Sequence, residues 1–93
     1  MTDMNLEIFM QGGDTHKVEA PPDMRGEEFI RELINGLRLP TTDNEGHQIS
    51  WRVDNKDTGR TLDQARTLEE NGVREGHRLT VIRQVTAGTG NGW

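Results

Sequence analysis

Thr67-Leu68-Glu69-Glu70-Asn71-Gly72-Val73-Arg74-Glu75-Gly76-His77-Arg78-Leu79-Thr80-Val81 is the stretch whose reading decides the fold. Leu68 and Val73 are set among polar residues at a spacing that pins a short helical turn to a core. Gly72 relaxes the backbone at that point, and Gly76 turns the chain toward Leu79. Leu79 and Val81 then alternate with Thr80 and Ile82, which is strand periodicity and predicts a last strand running to about Val85. A pinned turn leading directly into a half-apolar strand calls for a sheet with an apolar layer on one side.

The rest of the chain supplies both. Met4, Leu6, Ile8 and Met10 alternate with Asn5, Glu7, Phe9 and Gln11; Gly12-Gly13-Asp14 comes next, and Val18 and Ala20 alternate with Lys17 and Glu19. Residues 5–20 therefore read as a β-hairpin, with glycines supplying the positive φ angles of its turn. Pro21-Pro22 stops the second strand, because neither residue donates to a ladder. Asp23 is placed as a helix N-cap, with Glu27 and Glu28 in the first turn where the helix dipole favours negative charge. Phe29, Ile30, Leu33, Ile34 and Leu37 make one apolar face, Gly36 weakens the last turn and Pro40 ends it, so the spacing predicts a helix from Met24 to Arg38. After a polar loop over 41–47, Ile49, Trp51 and Val53 alternate with Ser50, Arg52 and Asp54 in a third strand. A turn at Asp54–Gly59 and a brief strand at Arg60-Thr61-Leu62 complete the set. Strand, strand, helix, strand, short strand, strand predicts an α+β domain: a mixed sheet of four to five strands packed on one helix, its first and last strands side by side in the middle.

Composition narrows the function. The 93 residues suffice for one domain; 30% are apolar and the mean hydropathy is −0.85, so the core is lean. A net charge of −5, with nine Arg and two Lys scattered along the chain, argues against nucleic acid as a partner. Without cysteine there is no disulfide framework, thiolate nucleophile or Cys-based metal site. No apolar run approaches the roughly 18 residues of a membrane span, and no basic segment leads into an apolar one at the N-terminus, so a cytoplasmic protein is expected. His16, His47 and His77 lie on separate segments without metal-ligand spacing, and Asp54, Asp57 and Asp63 do not have the order of a calcium loop. No catalytic constellation or phosphate loop is visible, and neither enzyme activity, metal nor cofactor is expected.

These residues resemble the ubiquitin (β-grasp) superfamily at several places in the same order. Leu6-Glu7-Ile8-Phe9-Met10 is similar to the family's opening strand, and Thr67–Val73 with Leu79-Thr80-Val81 after it is similar to its C-terminal third. The resemblance covers roughly residues 5–85, leaving 1–4 as an N-terminal extension and 86–93 as a flexible tail. It implies action by being bound or attached.

Two branches are implied. One comprises bacterial ubiquitin-like modifiers, made as precursors, trimmed by a peptidase, activated by E1-like and E2-like enzymes and joined to target proteins through an isopeptide or related bond. The other comprises bacterial ubiquitin-like proteins associated with type VII secretion, which resemble ubiquitin but lack a conjugation tail and imply a non-covalent adaptor or regulator. Gly46–Lys56 looks more like the bacterial proteins than like eukaryotic ubiquitin. The modifier branch is the leading expectation, with the adaptor as its alternative. A modifier would use Gly88, Gly90 or Gly92 as its acyl end, since a residue without Cβ threads a narrow channel. No Gly-Gly occurs there, and glycines also accumulate in tails with no such use. Lys17 and Lys56 are the lysines available as acceptors.

Partner-binding candidates are Phe9 and Ile82, which point away from the core on neighbouring strands, and Arg52, which stands where the family usually carries an apolar recognition residue. The alternative for Phe9 and Ile82 is a pair of scattered surface apolars with no partner. Trp51 reads as a core residue. The free protein is expected to be a monomer.

Overall fold

The computed structural model describes residues 3–85. Strands β1 (Met4–Phe9) and β2 (Thr15–Ala20) form an antiparallel hairpin, α1 (Gly26–Leu37) comes after it, and β3 (Ile49–Asn55), β4 (Arg60–Thr61) and β5 (Arg78–Val85) complete the chain. The sheet order is β2-β1-β5-β3-β4, with β1 and β5 parallel in its middle. This is the α+β arrangement that the alternation predicts. Met4, placed by sequence in an N-terminal extension, is instead the first residue of β1, where it pairs with Ala20 and is buried.

The core lies between the sheet and α1. Leu6 and Ile8 from β1, Val53 from β3, and Leu79 and Val81 from β5 meet Phe29, Ile30 and Leu33 of the helix. Burying each of these side chains is worth about 1.5–3 kcal/mol relative to leaving it in water. Trp51 is also buried, and its indole N–H donates to the Pro40 carbonyl at 2.9 Å. This bond fixes the loop leaving the helix against β3 and satisfies the one polar atom of the ring.

Residues 67–73 are hydrogen-bonded turns. The Asn71 N–H donates to the Thr67 carbonyl at 3.0 Å and the Val73 N–H to the Leu68 carbonyl at 3.0 Å, while Leu68 and Val73 point into the core. Thr67 and Glu70 cap each other: the Glu70 N–H donates to Thr67 Oγ1 at 3.1 Å, and the Thr67 N–H to Glu70 Oε1 at 2.9 Å. The Asn71 side chain ties this turn to the linker before it, accepting from the Asp63 N–H at 2.7 Å and donating to the Asp63 and Thr67 carbonyls.

That linker starts the helix, which corrects the expectation for Asp23. The helix begins at Gly26 with Arg25 at the N-cap position, and no side chain caps it. Its first N–H groups are satisfied from a distance. Gly26 donates to the Arg66 carbonyl at 2.8 Å and Glu27 to the Gln64 carbonyl at 3.1 Å. The approach is so close that a Cβ on Gly26 would stand 2.7 Å from the Asp63 carbonyl oxygen. At the other end the helix stops at Leu37, and Arg38 takes a left-handed conformation (φ 55°), with Leu39 donating to the Ile34 carbonyl.

Gly36 lies inside the helix, exposed, with nothing within 4 Å of the place a Cβ would occupy. Gly36→Ala is therefore expected to stabilise the protein by about 0.5–1 kcal/mol, read as a rise in Tm of a few degrees.

Candidate protein-interaction face

Among the described residues, no helix lies on the face of the sheet away from α1. Register places Phe9 of β1 beside Thr80 of β5, Thr80 beside Asp54 of β3, and Ile82 directly opposite Arg52. Phe9 and Ile82 are thus diagonal neighbours on the outer face, and both are half-buried. Each is accompanied by a cation. Lys56 Nζ sits 4.6 Å from the centroid of the Phe9 ring, a cation–π contact. Arg52 grips Asp54 with two hydrogen bonds, Nε to Oδ1 at 3.1 Å and Nη2 to Oδ2 at 3.2 Å, and Thr61 Oγ1 also donates to Asp54 Oδ1 at 2.9 Å. The three candidate partner-binding residues fall on one face. The surface they make is amphipathic: two apolar side chains flanked by an ammonium and a fixed guanidinium.

A polar corner holds one end of this face. The buried Asn55 accepts the Asp57 and Thr58 N–H groups at its Oδ1, at 2.8 and 3.2 Å, and turns its amide toward His77 Nδ1 at 3.1 Å. His77 Nδ1 also accepts the Arg74 N–H, which assigns the proton of the neutral ring to Nε2. Asp57 takes the Arg78 N–H at 2.6 Å and its guanidinium at 3.0 Å, and these bonds hold its carboxyl below the ordinary value of 3.8. The Arg78 guanidinium is raised in turn, chiefly by that same hydrogen bond. Asp63 Oδ1 accepts the Ala65 N–H at 2.9 Å and its Oδ2 lies 3.4 Å from Arg66 Nε, so Asp54, Asp57 and Asp63 all serve as strand and turn acceptors of the protein's own N–H, O–H and guanidinium groups.

Glu75 closes the bottom of β1. Its carboxylate takes both the Asn5 N–H at 2.9 Å and the Asn5 side-chain amide at 3.0 Å, bonds that hold it below its ordinary value of 4.5. A carboxyl depressed on folding stabilises the protein above its unfolded pKa, and that contribution is lost as pH falls through the folded one. The gap in Tm between the wild type and Glu75→Gln is expected to be full above pH 4.5 and to close on further acidification. A thermal-melt series over acid pH checks it.

The three histidines remain on separate segments, with His16 on β2, His47 in the loop before β3 and His77 before β5. His47 does have local company that its wider spacing conceals. Ligand atoms of Asp43, Glu45 and His47 lie within 4.8 Å of one another. Asp43 is already engaged there: its Oδ1 takes the Glu45 and His47 N–H groups at 2.9 and 2.8 Å, and its Oδ2 faces His47 Nδ1 at 3.0 Å. Desolvation pushes its carboxyl up, but these hydrogen bonds bring the net value below the ordinary range. The triad is accounted for as the lock of a tight loop.

Lys17 lies exposed on the outer side of β2, paired in register with Glu7. Gly88, Gly90 and Gly92 lie outside the described residues. The Lys56–Phe9 contact and the Arg52–Asp54 fork are missed by sequence reasoning. The fork leaves a usable signal, since opposite charges two apart on a strand share a face.

A mixed sheet of this order, with one helix across it and an amphipathic outer face, defines a ubiquitin-like β-grasp protein. The fold is shared with a designed protein based on ubiquitin (25% identity, TM-score 0.70, covering 97% of this chain and 98% of that one). It is likewise shared with the ubiquitin of Caldiarchaeum subterraneum (23% identity, TM-score 0.68, 92% and 99%). The UBL domain of Dsk2 from Plasmodium falciparum is similar again (21% identity, TM-score 0.70, 88% and 99%). Residues 6–81 match the family model described as WXG100 protein secretion system (Wss), protein YukD, and the chain belongs to that family. No curated protein sequence matches it. Among the described residues no helix is long and apolar enough to cross a membrane.

Proposed function

We propose that this protein is a non-covalent ubiquitin-like adaptor of a WXG100-type secretion apparatus, working by binding and without catalysis of its own. The observation that carries the reading is the family match, which spans residues 6–81 and so takes in nearly the whole fold. The surface offered to the partner is the outer face of the sheet. Phe9 and Ile82 supply apolar area, Lys56 and Arg52 supply charge, and the sheet beneath holds them on a rigid frame. A partner suited to this face carries an apolar side chain between acidic ones, since Lys56 rests on an uncharged ring and has no ion-pair partner among the described residues.

Of the two expectations from sequence, the secretion-associated adaptor is favoured over the modifier. Conjugation through Gly88, Gly90 or Gly92, with E1-like and E2-like enzymes and a trimming peptidase, draws no support from the comparisons beyond the shared fold.

Chemical cross-linking and affinity purification from native cells tests the choice. The adaptor reading predicts a secretion-apparatus protein that co-purifies under native conditions and is released completely by denaturant when no cross-linker is used. Denaturant-resistant adducts formed without cross-linker, ending at one of the three glycines, would establish the modifier instead.

A further inference from the structure

Asn55 is the one buried polar residue among the described residues, and its side chain holds the turn between β3 and β4 through the Asp57 and Thr58 N–H groups. Because Oδ1 takes those two donors, Nδ2 is left to donate, and it does so to His77 Nδ1 at 3.1 Å. The Arg74 N–H donates to the same nitrogen at 3.1 Å, while the His77 N–H donates back to the Arg74 carbonyl at 3.1 Å. His77 Nδ1 thus accepts from two donors at once. Only a neutral ring with its proton on Nε2 can do so.

The carboxylates around this ring are committed elsewhere. Asp57, in the turn after β3, takes the Arg78 N–H and guanidinium, and Glu75, in the turn that ends at His77, takes both donors of Asn5. Glu7 of β1 meets His77 through its backbone, its N–H donating to the His77 carbonyl at 3.1 Å. Arg74 and Arg78 flank the histidine in the chain, and Lys56 comes directly after Asn55. These three cations oppose a positive ring, and the Asp57 carboxylate favours it from a distance. Among the described residues no ion pair joins the ring to a carboxylate.

We propose that His77 is a proton switch for the outer face of the sheet. A proton added at Nδ1 turns an acceptor into a donor facing two other donors, so the ring leaves Asn55 and Arg74. The Asn55 amide, buried and without its partner, then reorients and releases the Asp57 and Thr58 N–H groups, since an unpaired buried donor is costly. The Lys56 N–H stays on the Arg78 carbonyl, so β3 is kept while the turn beyond it loosens. The Lys56 side chain rides on that turn, and its place over the Phe9 ring is lost with it. Acid thereby removes one of the two cations from the outer face. The switch is a property of the free chain; its effect on a partner rests on the adaptor reading.

The test is NMR of the full chain at about pH 7.5 and about pH 5.5, within the interval where histidine changes charge. The Lys56 ε-methylene is the reporter, because the Phe9 ring shifts it upfield while the ammonium sits above the ring. In the wild type that upfield shift is expected to fall by about half or more on acidification. His77→Asn puts a non-titrating oxygen about where Nδ1 stands and is expected to keep the shift at both pH values. His77→Ala, which removes the acceptor, is expected to lose it at both. Partner retained in co-purification should fall about threefold between the two pH values with the wild type, and stay level with His77→Asn. A Lys56 signal that does not move in the wild type, or moves equally in His77→Asn, overturns the switch. A signal that moves as expected while the partner is held equally at both pH values overturns instead the control of binding through the outer face.

Discussion

Leu68→Ala is expected to cost about 2–5 kcal/mol, a large part of the stability of a domain this size. Leu68 has no exposed surface, and it anchors a turn that does more than fill the core. Its own N–H donates to the Met24 carbonyl at 2.8 Å, and that of Glu69 to the Pro22 carbonyl at 2.9 Å, so the turn also holds the chain entering the helix. Through Asn71 it holds Asp63, the first residue of the 63–66 linker whose Gln64 and Arg66 carbonyls cap α1. Loss of the leucine thus removes packing and loosens the helix start together. Denaturant melts report the first effect. Amide exchange at Gly26 and Glu27 reports the second, and unchanged protection there would show that the helix start does not depend on the turn.

The second large effect concerns the partner. Ile82→Asp changes an outward side chain on β5, so its expected cost to stability is small, about 1 kcal/mol or less. On the proposed binding face it places a charge at the apolar centre and faces Arg52 with a new carboxylate, which competes with Asp54 for the guanidinium. A central apolar contact of this kind is worth about 2 kcal/mol or more when lost, roughly a thirtyfold weakening. Retention of partner in co-purification, measured beside Tm, separates the two readouts. A variant that keeps both Tm and partner would exclude the outer face as the partner's site.

The fold was legible in the sequence wherever a local period determines the outcome. Alternation from Met4 to Met10 and from Leu79 to Val85 identified the two central strands, because a half-buried strand repeats every two residues. The helix face was legible for the corresponding reason. Its start was not: Asp23 has the chemistry of a cap, yet the groups that satisfy Gly26 and Glu27 are carbonyls some forty residues further along. No local pattern carries that information. Thr67-x-x-Glu70 is different, since its spacing is a capping-box signature available in sequence that a strand-and-turn reading passes over. At the candidate site, sequence identified the outward-facing residues Phe9, Arg52 and Ile82. The cation over Phe9 depends on a turn that brings Lys56 back across the sheet, and only the tertiary structure shows it.

The adaptor function is tested most sharply by secretion in native cells lacking the endogenous gene, complemented with the chain truncated after Val85. The truncated form keeps Phe9, Arg52, Lys56 and Ile82 of the proposed outer face, so an adaptor of this kind should restore export of a WXG100-type substrate as fully as the intact chain does. Restoration by the intact chain alone, with loss on substituting the tail glycines, would contradict the adaptor and return the function to the tail.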